Sequence, residues 1–509
     1  MNAGDLSRIE DRLRRAYGDV LAAVQRDDAR PEVALGSLPG RPSRGAGRPG
    51  GRHRWLVPAA AGTAVAAVAI VTALLVPSGA QRQAPPQRHG TLRATQAPAT
   101  AGPMMAYVDG GRTSFGGLNS VIPVNLGTGR TLAPIKLRVT GGLIDELMSP
   151  NGRTLYVVTL GGPENSSPKT APGEVLPIDT TTRTAGSPIR LGGGFPYGAL
   201  MSPDGRTGYF LEQFQGVATV NFATNRPGPF ITIRGALTFA LTPDGKTLYV
   251  VTQDTLAGVP VSGPTLSTPT SASVIPVDTA SMRALPPVTT RDDTGMGKIA
   301  VAPDGRTAYL LSNRRGAAGQ VLTPIDIQTN TALPPISVPA SAPGTSITIS
   351  PDSRSAYLYT GPGIMAIDLT ARTIRWTVKL GSPIWSWNYP QGPPWQTQTV
   401  VSPDSQTVYT HGSDNKGVYR INAATGAQLP LIRMGWAGSD LGFGPDGKLY
   451  FLSSIAKGTQ PPAAGRQPPA AWGLWELTAF DPATGAVSPP ISLPDAIQGS
   501  WYDLQFGGK

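Results

Sequence analysis

Cysteine is absent from the 509 residues of the chain. The protein therefore has no disulfide, no thiolate zinc site, no iron–sulfur cluster and no cysteine that could carry a lipid. Stability must come from packing and from backbone hydrogen bonds.

Histidine is almost as scarce, with three residues in all. Beyond residue 55 only His89 and His411 remain, so a Ser-His-Asp triad has few candidate bases and a site with several histidine ligands has none. No glycine-rich phosphate loop precedes a predicted helix. We predict no cofactor, no metal and no assigned catalytic residue, and these absences favour a binding protein over an enzyme.

Clustered basic charge is also missing from most of the chain, although the net charge is +11. Arg residues exceed Asp and Glu by seven within residues 1–100, which leaves only +4 for the remainder. A groove that neutralises phosphates needs clustered Lys and Arg in the folded part. We therefore expect no nucleic-acid partner.

The one long apolar run is WLVPAAAGTAVAAVAIVTALLVP, residues 55–77, which contains no charged residue. As a helix it extends about 34 Å, enough to cross a hydrocarbon core of about 30 Å once. Three Arg residues lie within 48–54, whereas the first cation afterwards is Arg82. This bias predicts a single-pass protein of the cell membrane, with a cytoplasmic N-terminus and an extracytoplasmic C-terminal part. A signal peptide cleaved after the small residues 78–80 is the alternative.

The segments on either side of this run differ in pattern. Residues 1–30 place apolar side chains near helical spacing between Arg and Asp, which predicts a cytoplasmic amphipathic helix. Such a helix lies on the inner leaflet or docks onto a cytoplasmic partner. Residues 31–54 and 78–103 are rich in Pro, Gly and Ala without apolar periodicity, which predicts a flexible basic linker and a disordered linker.

Residues 104–509 repeat one sequence phrase, in which a tight turn is followed by a strand. A proline sets the first central residue of a turn, Asp or Asn binds local amides, Gly takes a positive φ, and an aromatic, β-branched strand follows. Ser353 and Ser405 replace the glycine in two copies, so we expect strain or a different shape in those turns. The seven copies are SPNGRTLYVVT from Ser149, SPDGRTGYFLE from Ser202, TPDGKTLYVVT from Thr242, APDGRTAYLLS from Ala302, SPDSRSAYLYT from Ser350, SPDSQTVYTHG from Ser402 and GPDGKLYFLSS from Gly444.

A second phrase follows each turn, as in SVIPVDTAS and VLTPIDIQT, and predicts a third strand that ends in Asp or Asn. A fourth strand containing prolines fits an outer sheet edge. The prolines within the third strand, Pro123, Pro177, Pro276 and Pro324, are interpreted as bulges. The spacing of about 40 to 60 residues matches one four-stranded propeller blade. The two phrases resemble the YVTN repeat propellers of bacteria and archaea, and this resemblance implies an all-β propeller without naming an activity.

The ends of the repeat region indicate how the ring closes. Residues 105–137 match the second, third and fourth strands of a blade, but no first strand precedes them. The sequence ends in GSWYDLQFGGK, which matches the first strand of a blade with no second strand after it. We predict that residues 501–506 complete the blade that begins at residue 104, which makes eight blades and removes two sheet edges. A seven-bladed ring with loose ends is the alternative.

Loops that join strand two to strand three, and strand four to the next strand one, share one face of a propeller. Here they are long, and GSPIWSWNYPQGPPWQ, residues 381–396, carries four aromatic side chains. Flat aromatic surfaces suit glycans, peptides and proline-rich partners, although such rings also serve to wedge blades together. The predicted ligand-binding residues are Trp385, Trp387, Tyr389, Trp395 and Trp436.

Carboxylates near the starts of the inner strands suggest a second function, because they can hold a cation or act as acid and base. They are Asp145, Glu146, Asp292, Asp293, Asp440 and Asp503. The primary hypothesis is a membrane-anchored extracytoplasmic scaffold that binds a ligand or a protein. The alternative is a metal-assisted, lactonase-like hydrolase or lyase, which the resemblance implies because some propellers similar to this one are lactonases or lyases.

Overall fold

The computed structural model describes sixteen stretches of the chain between residues 104 and 507. The predicted helix 1–30, the membrane segment 55–77 and both linkers lie outside them. Among the described residues, none belongs to a helix long and apolar enough to traverse a membrane. The stretches are 104–111, 118–137, 143–159, 172–194, 196–212, 215–253, 272–290, 293–314, 319–339, 346–360, 363–380, 399–411, 417–433, 436–455, 474–493 and 504–507.

The described residues form 37 strands in eight antiparallel sheets, which we call blades 1 to 8. Blades 1 to 4 contain β1 (Met105–Gly111), β2 (Leu118–Asn125), β3 (Arg130–Thr131), β4 (Ile135–Lys136); β5 (Leu143–Met148), β6 (Thr154–Thr159), β7 (Glu174–Asp179), β8 (Thr184–Ala185), β9 (Ile189–Arg190); β10 (Pro196–Met201), β11 (Thr207–Glu212), β12 (Gly216–Asn221), β13 (Arg226–Pro227), β14 (Ile231–Thr232); and β15 (Ala236–Leu241), β16 (Thr247–Gln253), β17 (Ala272–Asp278), β18 (Arg283–Ala284), β19 (Val288–Thr289).

Blades 5 to 8 follow the same order from the inner to the outer strand. They contain β20 (Asp293–Val301), β21 (Thr307–Arg314), β22 (Gln320–Asp326), β23 (Thr331–Ala332), β24 (Ile336–Val338); β25 (Ser346–Ile349), β26 (Ser355–Tyr359), β27 (Gly363–Asp368), β28 (Thr373–Lys379); β29 (Thr399–Val401), β30 (Thr407–His411), β31 (Gly417–Asn422), β32 (Gln428–Arg433); and β33 (Trp436–Phe443), β34 (Leu449–Ile455), β35 (Leu474–Phe480), β36 (Ile491–Leu493).

The last strand, β37 (Leu504–Gly507), joins the two ends of the repeat region. It pairs antiparallel with β1, from Met105 opposite Gly507 to Val108 opposite Leu504, and so supplies the inner strand of blade 1. The inner strands of successive blades are neighbours around a complete circle, with β37 between β33 and β5. The predicted eight-bladed, four-stranded propeller is therefore confirmed.

The hydrophobic core lies between blades rather than within them. Eight clusters of buried side chains alternate with the eight blades, and each cluster takes residues from two neighbours. Between blades 8 and 1, for example, Leu452 and Leu477 pack with Val108 and Ile122. A propeller sheet buries both faces, so its middle strands are apolar at nearly every position, as in the pattern of β6.

Five-residue turns between inner and second strands give one face of the ring a uniform surface, which we call the turn face. In the turn at 202–206, Ser202 Oγ donates to Asp204 Oδ1 at 2.6 Å, and that oxygen accepts from the Arg206 amide at 3.0 Å. The Thr207 amide donates to Ser202 Oγ at 2.9 Å. The same bonds recur in the turns at 149–153, 242–246, 350–354 and 402–406.

The two serine-containing turns keep the shape of the glycine turns. Ser353 and Ser405 have φ of 61° and 62°, in the left-handed region that disfavours a side chain. Ser353 Oγ accepts from the Asp304 amide at 3.0 Å, and Ser405 Oγ accepts from the Asp352 amide at 3.1 Å. Each serine thus keeps the expected strain, and its hydroxyl binds the turn of the preceding blade.

One buried tyrosine marks the second strand of every blade. Tyr249 donates to Asn330 Oδ1 in blade 5 at 2.6 Å, and its burial raises the pKa of its phenol to about 12. Tyr107 and Tyr209 are hydrogen-bonded to Thr180 and Thr279, also in the next blade. These hydroxyls therefore connect neighbouring blades. The full set is Tyr107, Tyr156, Tyr209, Tyr249, Tyr309, Tyr357, Tyr409 and Tyr450.

The bulges predicted at the third-strand prolines lie in the outer strand opposite them, where the pairing of β7 shifts by one residue between β8 and β9, and the third strand itself is not bulged. Pro177 lies opposite Tyr156 in an uninterrupted register, and Pro123, Pro276 and Pro324 lie in the same way opposite their tyrosines. The carbonyl of Pro177 accepts from the Gly186 amide at 2.8 Å, so its backbone faces the outer strand. That strand is split there into β8 and β9, and the missing proline amide therefore leaves no ladder bond unmade.

Deleting residues 504–509 should open the ring, because β1 loses its inner partner and two inter-blade clusters are exposed. We expect the free energy of unfolding to fall by roughly 4 kcal/mol or more, as measured by denaturant titration. Deleting residues 508–509 alone leaves β37 intact and is the control. Equal stability of the two truncated proteins would contradict a structural role for the closing strand.

Candidate functional site

The face opposite the turn face, which we call the loop face, contains the connections of variable length. They join second to third strands and each outer strand to the next inner strand. Some are very short, such as 213–215, whereas others span residues 254–271, 380–398 and 456–473. Because the turn face varies so little, individual features that distinguish one blade from another are concentrated on the loop face.

Most of the predicted aromatic site lies outside the described residues. This applies to Trp385, Trp387, Tyr389 and Trp395. The backbone of Trp436 is described: this residue begins inner strand β33, opposite Ser454, at the loop-face end of blade 8. Sequence analysis placed Trp436 in a loop, and the structure extends the strand to include it.

The carboxylate of Asp145 bridges two inner strands near the loop face. Its Oδ2 accepts from the Ala199 amide of blade 3 at 2.8 Å, and its Oδ1 accepts from the Glu146 amide at 2.9 Å. The register shift between Leu143 and Asp145 marks a bulge that places this side chain toward the next blade. Asp145 thus holds the backbone of two neighbouring inner strands in position. Glu146 is buried, with 1% of its surface exposed.

Glu212 is a carboxylate that sequence reasoning missed. It ends second strand β11, and none of its surface is exposed. The Gly194 amide donates to Glu212 Oε2 at 2.6 Å, and the Gly193 amide also donates to this carboxylate. Burial raises the pKa of Glu212 above its ordinary value of 4.5, although these amide bonds oppose the shift.

The Gly193–Gly194 segment fits closely around this carboxylate. A Cβ on Gly193 would lie 1.6 Å from Glu212 Oε2, and a Cβ on Gly194 would lie 2.5 Å from Gln215 Nε2. Glycine is required because the backbone must approach the carboxylate directly. The connection between blades 2 and 3 is therefore anchored by a buried acid, and this fixes one part of the loop face.

Glu212 stands at a position where other blades carry a small hydroxyl. The residue three places after the conserved tyrosine is Thr or Ser in five of the described second strands or directly after them, and each is buried. The five residues are Thr159, Thr252, Ser312, Thr360 and Ser453. This departure from the repeat was the available signal, and it could have been found by aligning the copies column by column.

Lys298 is a second group that sequence reasoning missed. It lies in inner strand β20 opposite Leu311, and no ion pair to it occurs within the described residues. Burial lowers the pKa of its ammonium from 10.5 to about 8. A partly neutral amine on an inner strand can donate a hydrogen bond to a bound ligand or accept one from it.

The described part of the chain offers no ready metal site. Groups of three or more His, Asp or Glu side chains that could hold an ion do not occur within the described stretches. Asp145 and Glu212 both direct carboxylate oxygens at backbone amides, so their observed contacts are those of positioning groups. The described residues form a rigid ring that holds loops and a few buried polar side chains.

Comparison with known proteins supports the fold. No protein-family model and no curated protein matches the chain. Among solved structures, the dihydro-heme d1 dehydrogenase NirN in complex with DHE is similar, with 15% identity, a TM-score of 0.54 and coverage of 79% of this chain and 76% of that chain. A candidate 6-phosphogluconolactonase from Bacteroides uniformis has 15% identity, a TM-score of 0.45 and coverage of 79% and 99%. At these identities the likeness concerns architecture alone.

Gly193→Ala should destabilise the protein, because the new methyl group would overlap Glu212 Oε2 and displace a buried carboxylate. We expect a loss of about 2 to 4 kcal/mol in the free energy of unfolding. Gly192→Ala is the matched control, since no atom lies within 4 Å of the added carbon. The free energy of unfolding of the control should stay within about 0.5 kcal/mol of the parent's value. Similar losses in both variants would refute the close fit of the Gly193 backbone around Glu212.

Glu212→Gln should change how stability depends on pH. The folded protein binds the Glu212 proton more tightly than the unfolded chain, because the pKa is raised on folding. This residue's contribution to stability therefore falls as pH rises from the ordinary pKa of 4.5 through the raised value. Subtracting the variant's stability curve from the parent's isolates this slope. A difference that is constant over this window would show that Glu212 titrates normally.

Proposed function

We propose that the protein is a membrane-anchored, extracytoplasmic propeller that binds a protein, peptide or glycan through its loop face. The observation that supports this most directly is the contrast between the faces. Five turns of five residues repeat one side-chain hydrogen-bonding pattern on the turn face, whereas the opposite connections range from the three residues 213–215 to residues 380–398. Binding residues are commonly carried on variable loops that a rigid scaffold positions.

Aromatic residues in one of these connections indicate the chemistry of the ligand. Four aromatic residues occur within 381–396, next to the start of blade 7. Their rings provide large contact areas at a small entropic cost and stack on sugar rings or peptide groups. The closed ring supports such a site because its blades hold one another in place.

The anchor proposed here rests on residues 55–77 and on the Arg residues that precede them. A single span followed by a linker would display the propeller outside the membrane. The N-terminal 30 residues would then remain in the cytoplasm, available to the inner leaflet or to a cytoplasmic partner.

The hydrolase alternative depends on carboxylates that would hold a cation or move a proton. Asp145 is one of these carboxylates, and both of its side-chain oxygens accept hydrogen bonds from backbone amides. This arrangement favours a structural role for Asp145, so binding is the better-supported function.

Binding should depend on the aromatic connection. A glycan array and a peptide array would be probed with the full-length protein in detergent micelles, and the strongest ligand would be titrated against Trp385→Ala and Trp387→Ala. We expect each variant to weaken binding by about tenfold or more, since removing a stacked ring costs roughly 1 to 3 kcal/mol. Phe230→Ala removes an exposed aromatic ring from the outer strand of blade 3 and is the control. Unchanged affinity in both Trp variants would refute the proposed site.

The proposed orientation can be tested by labelling introduced cysteines, because the parent protein has no cysteine of its own that would react with a maleimide. Ala424→Cys places a thiol on an exposed turn of blade 7, and Ala3→Cys places one in the N-terminal segment. We expect a membrane-impermeant maleimide to label the Ala424→Cys protein in intact cells stripped of their outer layers. The Ala3→Cys protein should react only after lysis. The reverse pattern would contradict the orientation.

A further inference from the structure

Proline interrupts the exposed outer edge of seven blades. An outer strand presents unpaired N–H and C=O groups to other chains, and proline removes donors and prevents regular pairing. In blade 7, Pro430 lies within β32, and in the other six blades prolines lie within or between the outer segments. Those of the described outer edges are Pro134, Pro188, Pro227, Pro229, Pro286, Pro287, Pro334, Pro335, Pro489 and Pro490.

Blade 6 is the exception among the described blades. Its outer strand β28 reads TIRWTVK, runs without a break for seven residues and contains no proline. It pairs with β27 from Gly363 opposite Lys379 to Asp368 opposite Thr373, with a one-residue register shift at Arg375. Five of the seven residues are β-branched or aromatic, which favours an extended strand. The chain thus leaves one continuous edge without proline, regular from Trp376 to Lys379, where its other described blades carry proline.

The outward backbone groups of this edge can be identified from the ladder. The Gly363 carbonyl accepts from the Thr360 amide at 2.8 Å, so Gly363 faces β26. Because alternate residues of a strand direct their backbone to opposite sides, Ile364 and Ala366 face β28, opposite Val378 and Trp376. Thr377 lies between those two and directs its N–H and C=O away from the sheet. No hydrogen bond within the described residues uses these two groups of Thr377.

Contacts with neighbouring blades hold β28 in place. Trp376 Nε1 donates to the Ala423 carbonyl of blade 7 at 3.0 Å, and Trp376 and Val378 pack against the core between blades 6 and 7. Gln428 Nε2 donates to the Lys379 carbonyl at 3.1 Å. The strand is therefore already in the extended form that strand addition requires, and little ordering is needed on its side.

Positive charge predominates along the same edge. Arg372, Arg375 and Lys379 lie on or next to β28, and the carboxylate on this edge is Asp368, paired with Arg375 at 2.5 Å. A second copy of this strand would bring the same cations together, whereas an acidic segment would complement them. Ile374, which is 37% exposed, offers an apolar contact on the same strand.

We propose that β28 is a docking edge that receives an extended, acidic segment of a partner protein as an added β-strand. Main-chain hydrogen bonds to the outward N–H and C=O of Thr377 supply the pairing, and the Arg and Lys side chains select an acidic sequence. This surface lies on the rim of blade 6 and is separate from the binding site proposed on the loop face.

The test uses three labelled eight-residue peptides and fluorescence anisotropy with the full-length protein in detergent micelles. They are (Glu-Val)4, the same peptide with every Val amide N-methylated, and (Lys-Val)4. We expect (Glu-Val)4 to bind at least tenfold more tightly than either of the others, because it alone combines acidic side chains with a complete set of amides.

Substitutions on the protein test the same edge. Thr377→Pro removes an outward N–H without removing a bond to β27, and Thr377→Glu keeps the N–H but adds repulsion. Both should weaken (Glu-Val)4 binding at least tenfold. Ser187→Pro is the matched control, because it creates in blade 2 the Pro-Pro pair already present in blades 4 and 5. It should leave binding unchanged.

Three results would overturn the proposal: failure of the parent protein to bind (Glu-Val)4, equal binding of the N-methylated peptide, or unchanged binding by Thr377→Glu. Sedimentation velocity distinguishes a partner segment from a second copy of this chain. A parent dimer that Thr377→Pro converts to a monomer would show that a second copy occupies β28. If Thr377→Pro does not fold, Thr377→Glu and the peptide series decide. Normal loop-face binding alongside any of these failures would leave the proposed function standing.

Discussion

Burial of each blade against its two neighbours is the interaction on which the structure depends. A single four-stranded sheet has two apolar faces and cannot bury either alone, so every blade needs a partner on both sides. The ring meets this need only when it closes, because otherwise two blades would each expose a face. The alternating clusters show how completely this condition is met, since each contains side chains from two adjacent sheets. The hydroxyls of Tyr107, Tyr209 and Tyr249 add directional contacts between the same neighbours, as Tyr249 does with Asn330.

The repeated parts of this architecture were predictable because they follow local rules. The proline, Asp and Gly of each turn determine its shape, and the apolar second strand that follows has to be buried on both faces. The unpaired strand at residue 105 and the surplus strand at the end of the chain made eight blades predictable as well. What the pattern did not show was that the bulge at Pro177 and its equivalents lies in the outer strand rather than in the third strand. The split in the outer strand opposite these prolines involves two-residue segments such as β8, which carry no periodic signal of their own.

The candidate site was less predictable, for a physical reason. Glu212 and Lys298 acquire their character from burial and from neighbours that are distant in sequence. Gly193 and Gly194 look like ordinary loop glycines until the carboxylate they enclose is placed beside them. Glu212 departs from a repeating pattern, and so does the proline-free strand β28. In a repeat protein the shared residues account for the fold, whereas residues that differ from their counterparts are the ones to examine for individual roles.

The composite construction of blade 1 has a consequence for biosynthesis. Seven blades consist of contiguous residues and can form as each emerges, but blade 1 joins residues 105–111 to residues 504–507. Such a contact has nearly the largest sequence separation that the chain permits, and its loop-closure entropy is met last. The nascent protein must therefore carry an unsealed sheet edge until residues 504–507 have been translated. A chain released before residue 504 would contain seven complete blades and an eighth without its inner strand, so the ring would have nothing to close it.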